Sequence, residues 1–342
     1  MQLLSAKKLG VRVVIGMVVL IVIMLICSLI GSQSISLKAV FSAPEGGVVN
    51  PDYEIFFRIR LPRIFLAAVV GAALACSGVV FQGLLRNPLA DPYILGISSG
   101  AGLGAIIAVV SGLNWMVLGR SPIAIFAFAG ALVTVWLVWL IGRATNKSGV
   151  TGLLLAGVVV NAFFSSVIMF VISIAKSDQV YTTIFWLMGN IVEEEFFVLW
   201  LSGGCVVSGI MGLFFISSQF NALSFGEADA TSMGVNINRI RFLAFGIAAF
   251  ITAVAVSLSG LVGFVGLVVP HAVRLVFGPD HRQLIPLSAI CGAAFLVAAD
   301  TVGRVVVAPA QLPVGVVTAL VGGPFFLILL VKYSRRVGGF SK

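Results

Sequence analysis

A chain of 342 residues that is 60% hydrophobic and only 10% charged is not a water-soluble globule, because soluble domains are about 45–50% apolar and about 25% charged. Lipid is therefore its solvent. The net charge of +9 would suit a nucleic-acid binder, but the basic residues are distributed as membrane topology requires, which removes that reading.

A spanning helix needs about 20 apolar residues. About ten runs qualify, roughly 11–30, 62–84, 94–112, 122–142, 151–174, 197–217, 240–258, 261–278, 284–303 and 313–333. The runs are continuous, whereas membrane-barrel strands alternate apolar and polar residues over about ten positions. The first run is too long for the apolar part of a secretory signal and no small-residue cleavage site follows it, so it reads as a retained targeting helix. The longest gap, about 31–61, carries Pro44, Gly46, Gly47 and Pro51 and then the mixed segment Asp52–Arg60. It predicts an external loop ending in a short interfacial helix. Leu85–Tyr93 reads LRNPLADPY; its two prolines and Asn87 preclude a continuous helix. Gly96, Gly100 and Gly104 follow at four-residue spacing and predict a face of close helix packing. Lys176–Glu195, with Trp186, Met188 and the acids Glu193 to Glu195, is a second external segment whose aromatic residue marks the interface. The stretch from about 222 to 236, ALSFGEADATSMGVN, is polar enough to leave the bilayer and predicts a short helix along its surface. Gly260, Gly263 and Gly266 crowd a later turn. Residues 1–342 read as a single transmembrane domain.

With the N-terminus in the cytoplasm, alternate connections place Lys7, Lys8, Arg12, Arg86, Arg143, Lys147, Arg239, Arg241, Arg274, Arg282 and the basic C-terminus (Lys332 to Lys342) on one side. The other side receives fewer basic residues, among them Arg58, Arg60, Arg63, Arg120 and Arg304, together with Glu45, Asp52, Glu54, Asp178 and Glu193 to Glu195. Basic residues accumulate on the cytoplasmic side, so both termini are expected there and the number of spans is even.

Chemistry is sparse. Gly142–Ser148 comes nearest to a phosphate-cradling loop, but it lacks the second glycine, its lysine falls one position early, and it follows a membrane helix rather than a strand. There is no H-E-x-x-H and no G-x-S-x-G. Cys27, Cys76, Cys205 and Cys291 lie inside apolar runs and never as C-x-x-C, the pattern of packing residues. His271 and His281, ten positions apart, read as interfacial polar groups rather than a metal pair. Arg60 and Arg63 on their own read as interfacial side chains reaching toward water. Gradient-coupled transport needs carboxylates near the midplane, and the runs are almost free of them. The exception is Asp300 with Arg304, an i to i+4 pair expected to be local. A gradient-driven secondary transporter is the alternative function, and this pattern counts against it.

The segment Arg60-Leu-Pro-Arg63, followed by Ser77-Gly78, Arg86-Asn87-Pro88-Leu89-Ala-Asp91-Pro92 and Leu95-Gly96-Ile-Ser-Ser-Gly100, resembles the FecCD family. So do Gly260-Leu-Val-Gly263-Phe-Val-Gly266 through Pro270-His271, and Leu312-Pro313-Val-Gly315 through Gly322-Gly323-Pro324. These are permeases of type II ABC importers for ferric siderophores, haem and cobalamin. The resemblance implies an all-α polytopic membrane protein with about ten transmembrane helices, working by alternating access in the cell inner membrane. It implies a second permease copy, two ATPase subunits and a substrate-binding protein as partners, and no nucleic acid. It implies no catalytic, cofactor or metal-ligating residue in the chain, because ATP and magnesium act on the ATPase and iron travels inside its chelate. Arg60, Arg63 and Arg304 match positions that meet glutamates of the binding protein. Asn87, Leu89 and Thr151 match a cytoplasmic gate, with Val150 departing from the hydroxyl residue of some relatives. Leu223, Gly226, Glu227, Asp229, Met233 and Gly234 fall in the ATPase-coupling region, where a helix dipole would by itself favour the two acids.

Overall fold

In lipid each backbone N–H and C=O must find its partner within its own segment. The apolar runs accordingly form helices in the computed structural model of the chain, which describes residues 5–42, 50–113, 121–144, 150–192 and 194–338. Pro44, Glu45, Gly46, Gly47, Arg120, Lys147, Glu193 and Lys342 lie outside the described residues. Among the described residues seven helices are long and apolar enough to cross a membrane, and the shorter apolar helical stretches Ile97–Val110, Val265–Phe277 and Val314–Ile328 accompany them, matching the ten runs of the sequence. They are α1 (Ala6–Leu29), α2 (Leu61–Leu84), α3 (Ile97–Val110), α4 (Pro122–Ala144), α5 (Val150–Ile174), α6 (Phe196–Phe215), α7 (Ile237–Ser259), α8 (Val265–Phe277), α9 (His281–Val305) and α10 (Val314–Gly338).

Two boundaries depart from the sequence reading for one physical reason. The helices α3 and α8 have 14 and 13 residues. At about 1.5 Å per residue they cover roughly 20 Å, less than a hydrocarbon core of about 30 Å. Each starts late because left-handed backbone precedes it: Gly96 (φ 78°) before α3, and Gly260 (φ 64°) with Phe264 (φ 68°) before α8. Gly96 therefore caps α3 instead of lying on its packing face, and of Gly260, Gly263 and Gly266 only the last is helical. The connection after α1 ends in helix as expected, but that helix is continuous with α2. Helix resumes at Pro51 and runs without interruption through a widened π turn, Ile55–Arg60, into α2. Pro62 follows directly on that turn, where its missing N–H and its ring are accommodated.

The buried centre is α2, α7 and α9. In their most apolar stretches 78%, 72% and 61% of residues are buried, against 6% for α1. The side chains exposed on α1, such as Val14, Ile15 and Val18, need no cover in lipid. Without a hydrophobic force between helices, close contact comes from small residues. A Cβ on Gly71 of α2 would sit 2.2 Å from the Gly292 carbonyl oxygen of α9, and one on Gly292 would sit 2.4 Å from that of Gly71. Gly78 meets Gly266 of α8 in the same way, and Gly104 meets Phe126 of α4. Cys27 and Cys76 are buried, Cys205 and Cys291 half-buried, and all four are free thiols.

Candidate functional site

At the N-terminal end of α2 the three arginines of the sequence analysis converge, but not as surface groups. Arg63 Nε donates to both oxygens of Asp300 (3.1 and 3.2 Å), its Nη2 to Asp300 Oδ1 (3.0 Å) and its Nη1 to Gln311 Oε1 (2.9 Å). Arg304 Nε donates to Asp300 Oδ2 at 3.0 Å, and its Nη2 to the Thr301 hydroxyl at 2.9 Å. Arg60 donates to the carbonyls of Ser28 and Leu29, both at 3.1 Å, and to that of Gln33. Only 4–6% of each arginine is exposed, and 2% of Asp300. The expectation of a local Asp300–Arg304 pair thus widens into a clasp joining α2, α9 and the end of α1. The reading of Arg60 and Arg63 as side chains reaching toward water is corrected: their donors, like those of Arg304, are committed within the chain, because a charge buried this deeply needs partners.

At the C-terminal end of α2 the chain turns through Leu85–Gly96 without continuous helix, as Pro88, Pro92 and Asn87 require. The Asn87 side chain accepts from the Leu89 N–H at 2.9 Å, and Leu89 itself is exposed. Asp91 caps the single turn Pro92–Leu95 by accepting from the Tyr93 N–H at 2.9 Å. Burial pushes the Asp91 carboxyl up to about 6 despite that hydrogen bond. The turn leans on α5, where a Cβ on Gly157 would lie 2.8 Å from the Leu95 Cα. Thr151 is exposed in the first turn of α5.

The stretch from about 222 to 236 holds one short helix, Glu227–Ser232, as expected; a second, Ser217–Leu223, precedes it, and Gly226 at φ 134° lies between them. Leu223 is buried, while Phe225 and Met233 are 64% and 63% exposed. Gly234 closes the segment at φ 81°. Glu227 pairs with Arg241 of α7, while Asp229 lies exposed in the first turn of the second helix, near its positive end.

Sequence reasoning missed what fastens this segment to the bundle. Asn221 Oδ1 accepts from both the backbone N–H and the Nδ1 of His281, each at 2.9 Å, and its Nδ2 donates to Asp280 Oδ1 at 2.7 Å. Since Oδ1 can only accept, the His281 proton sits on Nδ1. Burial would raise the Asp280 carboxyl, but hydrogen bonds from Arg282 and Asn221 hold it below the usual range. Arg86 of the α2–α3 connection donates to the Leu223 carbonyl at 3.2 Å. Segment 217–236 is thereby joined both to the start of α9 and to the connection carrying Asn87 and Leu89.

A second feature was equally hidden. Between α7 and α8 the unwound backbone at Val262 accepts from and donates to the Tyr93 hydroxyl, both at 2.9 Å. Beside it Asn190 N–H donates to Ser259 O (2.7 Å) and Gly315 N–H to Gly189 O (3.2 Å). A Cβ on Gly189, Gly260 or Gly315 would fall 2.2–2.3 Å from a carbonyl oxygen of a neighbouring segment. Non-helical backbone is tolerated at membrane depth only where protein or a cavity surrounds it. Only the glycines hinted at this in the sequence.

Among the described residues no group of three or more His, Cys, Asp or Glu could hold a metal ion. Asp300, only 2% exposed, is locked between two arginines.

Against known proteins, the model of the FecCD transport family matches residues 19–332. The chain is 44% identical to the cobalamin import system permease protein BtuC of Halobacterium salinarum, over 86% of this chain and 78% of that protein. It is 36% identical to the hemin transport system permease protein HmuU of Yersinia pestis, over 96% and 98%. Among solved structures it resembles a metal-chelate type ABC transporter in an inward-facing conformation, with a TM-score of 0.78 and 29% identity over 92% of this chain and 97% of that one.

Proposed function

The chain belongs to the FecCD transport family and is the multi-pass permease subunit of an ABC importer, with ATP hydrolysis carried out by a separate ATPase; from that premise we propose that it imports a metal chelate of the ferric siderophore, haem or cobalamin class. Two copies form the pathway in the inner membrane, with both termini in the cytoplasm, where ATP and magnesium act on two ATPase subunits. The observation that carries the reading is the segment 217–236, which projects Phe225 and Met233 outward and is hydrogen-bonded to both α9 and the α2–α3 connection. A partner that moves this segment pulls on the connection bearing Asn87 and Leu89, which with Thr151 form the cytoplasmic gate. Leu223, Gly226, Glu227, Asp229, Met233 and Gly234 shape the ATPase contact. At the outer face Arg60, Arg63 and Arg304 act on acidic groups of the binding protein through the field of three guanidiniums, of which Arg63 and Arg304 share the single carboxylate Asp300 and Arg60 is held by backbone carbonyls. Such a field guides encounter and register more than it adds affinity.

Uptake into proteoliposomes holding the permease, its ATPase and its binding protein tests this, with labelled haem, ferric siderophore and cobalamin offered in parallel. We expect uptake of one chelate that stops when ATP is withheld. Uptake driven by an ion gradient without the ATPase would overturn the reading in favour of a secondary transporter.

The joint at Asn221 gives a sharper test in the same vesicles. Asn221→Leu removes its three hydrogen bonds to Asp280 and His281 and leaves Asp280 paired with Arg282. ATP hydrolysis is expected to continue while uptake per ATP falls several-fold. An unchanged ratio would show that the joint carries no motion.

A further inference from the structure

The C-terminal end of α4 and the N-terminal ends of α5 and α7 enclose a cavity of about 470 Å³. Three arginines line it, Arg143, Arg239 and Arg241, with Trp139, Phe242 and Asn238. The backbone N–H of Arg239 donates to Asn236 Oδ1 at 3.0 Å, but among the described residues neither the Arg143 nor the Arg239 guanidinium has a hydrogen-bonded or ionic partner. Arg241 is the most enclosed, with 15% of its side chain exposed, and its carboxylate partner Glu227 sits outside on the coupling segment, 49% exposed. Trp139 forms the aromatic wall, 5.4 Å from the rings of both Phe242 and Phe245. Three like charges around one cavity repel each other unless an anion lies between them. Guanidinium forks fit phosphate oxygens, and tryptophan favours headgroup depth. Basic residues at a membrane's cytoplasmic face need no ligand to explain them, but a defined cavity that gathers three of them against an aromatic wall does.

We propose that this cleft binds the phosphodiester of an acidic phospholipid headgroup, and that the headgroup competes with Glu227 for Arg241. Lipid occupancy then loosens the Glu227 tether and sets how freely the coupling segment moves. The cytoplasmic placement rests on the orientation proposed above. Binding is read without transport, so failure of either reading is told apart from failure of the other.

The test is native mass spectrometry of the purified full-length permease offered phosphatidylglycerol, cardiolipin or phosphatidylethanolamine. One retained anionic lipid per chain is expected, with affinity falling about tenfold or more in the Arg143→Gln/Arg239→Gln variant, the size expected for lost charge-assisted contacts. Glu227→Gln, which removes the competitor, should instead tighten binding. Equal retention of phosphatidylethanolamine would overturn the proposal, as would binding unchanged in a well-folded double variant or a Glu227→Gln variant that binds no tighter. Displacement of the lipid by millimolar inorganic phosphate would assign the cleft to a soluble anion and overturn the lipid assignment.

Discussion

Replacing Asp300 with alanine is expected to destabilise the folded protein by about 3–5 kcal/mol, the range for removing one partner of a buried ion pair. The carboxylate is 2% exposed and accepts from Arg63 at three contacts and from Arg304 at one. Its loss leaves two guanidiniums, each 6% exposed, facing one another with no anion between them. Gln311 and Thr301 still accept from them but carry no charge. Thermal unfolding in detergent, with the yield of monodisperse protein, reads the effect. Asp300→Asn, which keeps an acceptor but not the charge, should fall between wild type and alanine. Exchanging all three groups together for apolar residues of similar volume should be milder than Asp300→Ala alone, since no orphaned charge remains. An unchanged unfolding midpoint for Asp300→Ala would mean that the arginines find other partners and that the clasp is not what joins α2 to α9.

The second large effect is expected at Gly71. A valine there places its Cβ 2.2 Å from the Gly292 carbonyl oxygen and 2.9 Å from the Leu296 Cβ. The obstacle is backbone, so no rotamer relieves it, and α2 and α9 must separate along a contact that runs through the buried centre. Overpacking a well-packed interior costs about 1–3 kcal/mol, and more where the neighbours do not yield; the upper end is expected here. Gly292→Val should behave alike because the contact is reciprocal. Gly246→Ala is the control: it lies in α7 with nothing within 4 Å of an added Cβ, and should be neutral or stabilising by about 0.4–1 kcal/mol. The same unfolding assay compares them. If Gly71→Val and Gly246→Ala unfold at the same temperature, close α2–α9 packing is not what stabilises the bundle.

The number and kind of elements were legible in the sequence because each depends on one local property. A continuous apolar run in lipid satisfies its own backbone hydrogen bonds only as helix, so runs such as 122–142 and 151–174 became α4 and α5 with small changes at their ends. Breaks were legible where proline forced them, as in Leu85–Tyr93. The boundaries of α3 and α8 were not, because Gly96, Gly260 and Phe264 take left-handed backbone to suit neighbours such as Trp186 and Thr134, which are remote in sequence.

By itself, then, the sequence determined a polytopic helical membrane protein, and its motifs determined the family, since both are written in stretches of contiguous residues. Which polar groups meet was decided only by the tertiary structure. Arg63 and Asp300 are separated by 237 positions, Asn221 and His281 by 60, Tyr93 and Val262 by 169. No periodicity announces such a pair. Arg60, Arg63 and Arg304 illustrate the difference: their identity was plain from the motifs, but the fold turned them inward. A charge taken out of water must find a partner, and the folded bundle brings Asp300 and the end of α1 to meet them.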